Sequence, residues 1–183
     1  MRITISGPPG SGKTTVCRIL GEHLGLEIVS SGHIFRQMAE EREMSLAEFG
    51  HLCETDPEAD LILDNRMVEI ARNSDNICLE GRLSAHMLTR HSIEAFRVLM
   101  LADIDERSKR VVTREGGTWE QRKREIEDRE ASEAKRYKAY YNIDINDKDV
   151  YDLVIDTTNI PAEDVAGRII REVRKHSRDA CKG

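Results

Sequence analysis

The chain has 183 residues, 39% of them hydrophobic and 34% charged, and a formal net charge of -6. That length supports one domain with a core that needs no disulfide or metal staples. The acidic balance excludes a general nucleic-acid or membrane-surface binder, yet it leaves room for a small anion in a local basic pocket.

No apolar run reaches the length of a membrane span, and "MRITISGPPG" has one Arg before a very short apolar stretch, so it reads as no signal peptide. Cys17, Cys53, Cys78 and Cys181 are scattered without a CxxC pair, and the histidines show no ligand spacing. Reduced thiols in a cytoplasmic protein are the expectation.

Residues 3–6, "ITIS", read as a first strand. "GPPGSGKT" follows at 7–14 and satisfies G-x-x-x-x-G-K-[ST] between a predicted strand and a predicted helix. Gly7, Pro8, Pro9, Gly10, Ser11 and Gly12 make a loop that passes close to an anion. Its successive N–H groups form a nest backed by the helix dipole. Lys13 then places a cation between the β- and γ-phosphates, the Thr14 hydroxyl is a ligand for Mg²⁺, and Thr15 offers a second hydroxyl near the α-phosphate. The helix that follows carries Val16, Ile19, Leu20 and Leu24 on one face, and Gly25 stops it.

"EIVS" at 27–30 reads as a second strand, leading into "SSGHIFR". Arg36 there sits near a helix N-terminus, against the dipole. Either an anion lies between them, or Arg36 pairs with Glu40 one turn on; spacing alone leaves both open. Residues 31–75 are too long for one crossover helix and read as two or three helices, broken near Met44-Ser45 and Asp56-Pro57.

"NICLE" at 76–80 is a third strand, and "EGR" puts Glu80 at its end and Arg82 just beyond. Strand ends are where ligands gather in open α/β sheets. Glu80 is therefore the preferred acid for a metal, and Asp103 and Asp156 are read as a helix N-cap and a strand-end turn. Arg36 and Arg82 together form a fork-shaped clamp for a second phosphate, which implies transfer of a phosphoryl group to a nucleotide. "RVLMLAD" at 97–103 and "DLVID" at 152–156 complete five strands, all continuous apolar runs expected to be covered on both faces. Strand and helix alternate, so the fold class is α/β with a parallel sheet and right-handed crossovers.

Residues 104–140 are almost entirely helical and charged, broken at Gly116-Gly117. Within them "EIEDREASEAKRY" reads first as a solvated face laced with charge pairs, Glu130 and Lys138 included. Arg129, Glu133 and Arg136, however, are spaced i, i+4, i+7 and share one side, which has a phosphate site to close on.

The phosphate loop, "SSGHIFR", "LEGR" and "DREASEAKRY" occur in the order seen in nucleoside monophosphate kinases. The chain resembles the cytidylate kinase family, in its archaeal type, from Arg2 to about Lys175. The resemblance implies a three-layer P-loop kinase fold: a five-stranded parallel sheet of order 2-3-1-4-5, a monophosphate-binding insert over 31–75 and a lid over 107–137. It implies transfer of the γ-phosphoryl group of ATP to CMP or dCMP with Mg²⁺, in a monomer. Carried over by motif, Lys13 bridges the phosphates, Arg36 and Arg82 hold the acceptor phosphate, and Arg107 and Arg110 reach the donor phosphates. Arg129 closes on phosphate, Glu133 and Arg136 recognise sugar and base, and Ser31 bonds the cytosine. The loop "TTNIP" is where family geometry puts the adenine.

Bacterial members read Asp-Gly-Arg-Asp where this chain has Glu80-Gly81-Arg82-Leu83, and carry Arg and Asp at the positions of Ser132 and Glu133. Adenylate kinases read Asp-Gly-Phe-Pro-Arg after the third strand, unlike "EGRLSAH". A nucleotide switch needs effector loops gated by the γ-phosphate, and the second arginine set argues for an acceptor instead.

Overall fold

The computed structural model describes residues 1–180, so Cys181 lies outside the described residues. Five strands form one parallel sheet: β1 (Arg2–Ser6), β2 (Glu27–Ser30), β3 (Ile77–Glu80), β4 (Phe96–Leu101) and β5 (Leu153–Asp156), in the order β2-β3-β1-β4-β5. Register pairs Ile5 with Glu80 across β1 and β3, and Leu101 with Asp156 across β4 and β5. The carboxyl ends therefore line one edge of the sheet, and β1 lies in the middle, with the connection from β3 to β4 carrying the chain past it to the other side.

The pleat sends alternate side chains into two apolar layers. Cys78 joins Ile3, Ile5, Val98, Met100 and Ile155 beneath α1 (Lys13–Leu24) and α8 (Ala162–Ala180). Its neighbours Ile77 and Leu79 join the opposite layer with Met67, Val68 and Ala71 of α4 (Glu58–Asn73) and Met87 and Leu88 of α5 (Ser84–Arg90). The three central strands are covered on both faces. The outer two are not: Ile28 of β2 and Val154 of β5 are each 37% exposed. A continuous apolar run does not separate a central strand from an edge strand, because one helix covers one face of either.

Between β2 and β3 the chain forms three helices, α2 (Ser31–Glu40), α3 (Leu46–Cys53) and α4. Their breaks fall at Met44-Ser45 and Asp56-Pro57, where Ser45 and Glu48 form a reciprocal capping box for α3. Between β4 and β5 lie α6 (Ile104–Glu115) and α7 (Trp119–Tyr141), separated by Gly116 and Gly117, both at positive φ. Thr118 caps α7, and Asn142, left-handed at φ 55°, ends it. Asp103 occupies the cap position of α6 without a side-chain cap bond, while Asp156 closes a strand-end turn by accepting from the Thr158 amide and hydroxyl.

The loop after β1 runs against β4. A Cβ placed on Gly7, at φ 153°, would sit 2.2 Å from the Met100 carbonyl oxygen. One on Gly25, at φ 64° past the end of α1, would meet nothing within 4 Å. Gly25→Ala therefore carries only backbone strain, about 1 kcal/mol. Gly7→Ala adds a backbone clash and is expected to cost about 1–3 kcal/mol more in urea unfolding. Equal losses for the two variants would contradict this packing.

Candidate active site

Helix α1 starts differently from its neighbours. Ser30, Ser45 and Thr118 cap α2, α3 and α7 with side-chain hydrogen bonds. Gly12 caps α1 with none, and no acid stands in its first turn. The first amides of α1 thus keep their donors for an outside anion. Lys13 folds back over the loop, its Nζ donating to the carbonyls of Gly7 at 2.8 Å and Pro8 at 2.9 Å. Removal from water lowers its pKa to about 8; Glu80 raises it, and Arg82 and Arg129 lower it further.

A cavity of about 360 Å³ opens over this loop. Thr14, Thr15, Ser31 and Glu80 line it, and so do Arg36, Arg82, Arg110, Arg114 and Arg129. The strand ends and helix starts thus bring the phosphate loop and the acceptor arginines to one space. Thr14 Oγ1 donates to Glu80 Oε1 at 2.9 Å, while Glu80 Oε2 is buried with no partner. A hydroxyl and a carboxylate with one unsatisfied oxygen, next to a phosphate loop, fit a hard divalent cation.

Glu133 organises the cations. It is 3% exposed and accepts from Arg82 Nε at 2.7 Å and from Arg129 Nε at 2.8 Å. Burial raises its pKa, but Arg129 and Arg82 outweigh that and hold it down at about 2. Arg129 sits above its ordinary value despite burial, because Glu133 faces it. Arg36 goes the other way, lowered by burial and by the nearby Arg129 and Arg114. Among the described residues Arg36 has no ion pair with Glu40 or any other acid, so its charge is left for a ligand in the cavity.

Arg107 and Glu130 sit differently from the sequence reading. Arg107 is 7% exposed and does not line the cavity. Its guanidinium grips Glu130 at 3.0 and 3.2 Å and donates to the carbonyls of Pro9 and Ala102. It braces α6, α7 and the phosphate loop against one another. Glu130 is accordingly half-buried and paired, not solvated as its spacing suggested; Lys138 is exposed. Arg136 is buried with Asp60 of α4, its Nη1 2.9 and 2.8 Å from the two carboxylate oxygens. Arg110 instead bridges two regions, with Nη2 2.7 Å from the Thr157 carbonyl and Nη1 3.4 Å from the Ser11 carbonyl. It borders both the main cavity and a second one of about 440 Å³ between the phosphate loop and residues 157–161.

Sequence reasoning passed over Arg114 and Asp60. Arg114 was findable, since Arg107, Arg110 and Arg114 are spaced i, i+3, i+7 and share a face of α6. Asp60 carried a weaker signal: with Asp64 it falls on the stripe of α4 that also holds Leu63, Met67 and Ala71, an odd place for acids. Among the described residues no cluster of His, Cys, Asp and Glu is arranged to hold a metal unaided. No helix there is long and apolar enough to cross a membrane.

The sequence model of the cytidylate kinase-like family matches residues 2–159. A protein named cytidylate kinase from Methanococcoides burtonii is 49% identical over 158 residues, covering 86% of this chain and 88% of that one. A cytidylate kinase from Halobacterium salinarum is 40% identical over 183 residues, covering 100% and 94%. Among solved structures, a shikimate kinase from Acinetobacter baumannii in complex with shikimate superposes with a TM-score of 0.58 at 18% identity, covering 96% of this chain and 93% of that one. An uncharacterized protein from Eubacterium ventriosum does so with a TM-score of 0.70 at 19% identity, covering 95% and 98%. At those identities the likeness concerns the fold alone.

The floor of the site contains one titration that stability measurements reach. Burial pushes the Asp64 carboxyl up to about 7, while the Tyr141 hydroxyl, 2.7 Å away, pulls it down. The folded state then holds a proton that an ordinary Asp, near 3.9, has lost. This contribution is fully present at low pH and is lost as pH rises through about 7. Asp64→Asn removes the titration. Relative to the unaltered chain it should therefore gain stability between pH 5 and pH 8, by about 3 kcal/mol. Urea unfolding at both pH values measures the difference, and a pH-independent offset would place Asp64 in contact with water.

Proposed function

The chain belongs to the cytidylate kinase-like family, and we propose that it transfers the γ-phosphoryl group of ATP to CMP and dCMP, giving CDP or dCDP and ADP. The observation that carries this reading is the arrangement of charge around one cavity. Lys13 and the uncapped start of α1 stand on one side, and Arg36, Arg82 and Arg129 serve as the other. Two cationic sites sharing a space suit two phosphate groups held in line, and phosphoryl transfer asks a protein for little else. Adenylate and UMP kinase activities are not favoured, since relatives at 40–49% identity are named cytidylate kinase.

In this mechanism the loop amides and Lys13 hold the β- and γ-phosphates, and Lys13 leaves the Gly7 and Pro8 carbonyls to do so. The acceptor phosphate takes its place among Arg36, Arg82 and Arg129 and competes with Glu133 for two of them. An oxygen of the acceptor phosphate forms a bond to the γ-phosphorus as the bond to the β-phosphate oxygen breaks, and the arginines and Lys13 neutralise the charge spread over the transferring group. Thr14 and Glu80 would hold Mg²⁺, which when bound neutralises triphosphate charge. Arg110, with residues 157–161, frames the cavity suited to the adenine. Helices α2–α4 (residues 31–75) act as the acceptor-binding insert and residues 107–137 as the lid. We place the enzyme in the cytoplasm as a monomer.

An ATP-consumption assay coupled to ADP release, run over CMP, dCMP, UMP, AMP, GMP and shikimate, tests the reading. CMP and dCMP should give the highest kcat/KM; no turnover above the ATPase background with either would overturn it. Lys13→Ala should lower kcat at least a hundredfold, as losing a preorganised transition-state contact does, with a melting temperature close to that of the unaltered chain. Arg36→Ala should raise KM for CMP well beyond KM for ATP, and equal effects on both would move Arg36 out of the acceptor site.

A further inference from the structure

On the reading that the loop after β1 holds the donor triphosphate, its amides have to be aimed at an anion. A trans peptide sends its C=O and N–H in opposite directions, so a carbonyl tied away from the cavity turns the N–H of the same peptide toward it. No peptide among the described residues is cis. The loop carbonyls are tied by different groups. Gly7 and Pro8 accept from Lys13 Nζ, and they lose that donor when Lys13 turns to the phosphates. Ser11 accepts from the buried Thr157 hydroxyl at 3.0 Å. Pro9 accepts from Arg107 Nη1 at 3.1 Å.

Arg107 is committed to that task. Its Nε donates to the Ala102 carbonyl just past β4, and Glu130 takes Nη1 and Nη2 together. Glu130 matches its charge, so the pair adds direction to the phosphate loop and little net attraction. The backbone of α6 bears on the next residue of the loop as well. A Cβ on Gly10, at φ 81°, would lie 2.8 Å from the Arg107 carbonyl oxygen and 2.9 Å from the Arg107 Cβ. One side of the Pro9–Gly10 peptide therefore rests on Arg107, and the Gly10 N–H points away from it. That N–H enters no backbone hydrogen bond among the described residues, and Gly10 lines the main cavity beside Lys13.

We propose that Arg107 is a positioning residue for phosphoryl transfer: by holding the Pro9 carbonyl it aims the Gly10 N–H at the donor triphosphate, and it never touches the nucleotide. A donor fixed in advance needs no reorganisation as charge shifts in the transition state, which is where such a group gains its effect. The role calls for arginine. The planar fork reaches the Ala102 carbonyl, the Pro9 carbonyl and both Glu130 oxygens at once, whereas a lysine offers one nitrogen and can serve only part of that set. Lys13 and Arg107 thus divide the work on the loop. The first is free to leave its carbonyls for the phosphates, and the second keeps the loop in shape while it does so.

The test compares Arg107→Lys and Glu130→Gln with the unaltered full chain. ATP and CMP binding are measured separately by calorimetry, kcat with both present, and the Gly10 amide signal by NMR on isotope-labelled glycine during ATP titration. Arg107→Lys is expected to weaken ATP binding and lower kcat, about tenfold or more in kcat/KM for ATP, while CMP binding without ATP changes little. Glu130→Gln leaves the bond to Pro9, so its ATP affinity should stay within about threefold of the unaltered chain. ATP should shift the Gly10 amide strongly in the unaltered chain and in Glu130→Gln, and weakly in Arg107→Lys. A merely structural Arg107 would lower the melting temperature and weaken ATP and CMP alike, which overturns the proposal. Equal losses of ATP affinity in the two variants overturn it too, since the tie to α7 would then be what matters. Should Arg107→Lys not fold, the unaltered chain still decides: a Gly10 amide that ATP leaves unmoved overturns the proposal. Failure of the kinase reading looks different, with ATP bound and the Gly10 amide shifted but no turnover of CMP or dCMP.

Discussion

One buried carboxylate keeps the site from flying apart. Lys13, Arg36, Arg82, Arg110, Arg114 and Arg129 border one cavity, and at close range like charges of that number repel strongly. Glu133 binds two of them at hydrogen-bond distance from a position shielded from water. Its own burial is unfavourable, and the paired arginines more than offset it, as its low pKa records. The bidentate grip of a phosphate dianion on the same arginines would do the same task better, because it carries more charge and more oxygens. In the proposed reaction Glu133 is therefore a placeholder for a phosphate and also the group that a phosphate must displace.

The sheet holds the rest of the site in place. Parallel order with β1 central delivers the phosphate loop, Glu80 and Arg82 to the same edge, at neighbouring strand ends. Their spacing is set by sheet register, which side-chain repulsion cannot easily deform. Only the helices that bring Arg36 and Arg129 need tying down. Arg107 does part of that, joining α6, α7 and the Pro9 carbonyl through Glu130. The charges within α7 thus divide by direction: Glu130 faces the brace, Glu133 the clamp, and Arg136 the floor beside α4.

How much of this was legible in the sequence follows from the range of each interaction. The phosphate loop is a local object, eight residues whose types match their work, and its strand-loop-helix context was readable from short apolar runs. The breaks between α2, α3 and α4 were readable too, because turn and cap chemistry is also local. The i, i+4 pairing of Arg129 with Glu133 lay within reach of helical spacing. Edge strands were not distinguishable from central ones, since sheet order is a nonlocal fact. Arg107 and Glu130 looked like solvated or phosphate-facing charges, because nothing in a 23-residue separation says that two helices cross there.

The least legible contact is the one that joins α4 to α7. Asp60 and Arg136 lie 76 residues apart, and neither belongs to a motif with the other. What the sequence did hold was a conflict: two acids, four residues apart, on the apolar stripe of α4. Burying a carboxylate is costly unless it is paired, so a stripe that keeps two of them must meet donors from elsewhere in the chain. Here the donors are Arg136 and Tyr141, both on α7. Local rules that fail in a consistent direction mark where a distant element docks, and in this protein they mark the junction of α4 with α7 beneath the acceptor clamp. The same junction leaves the Arg136 Nε–H without a partner.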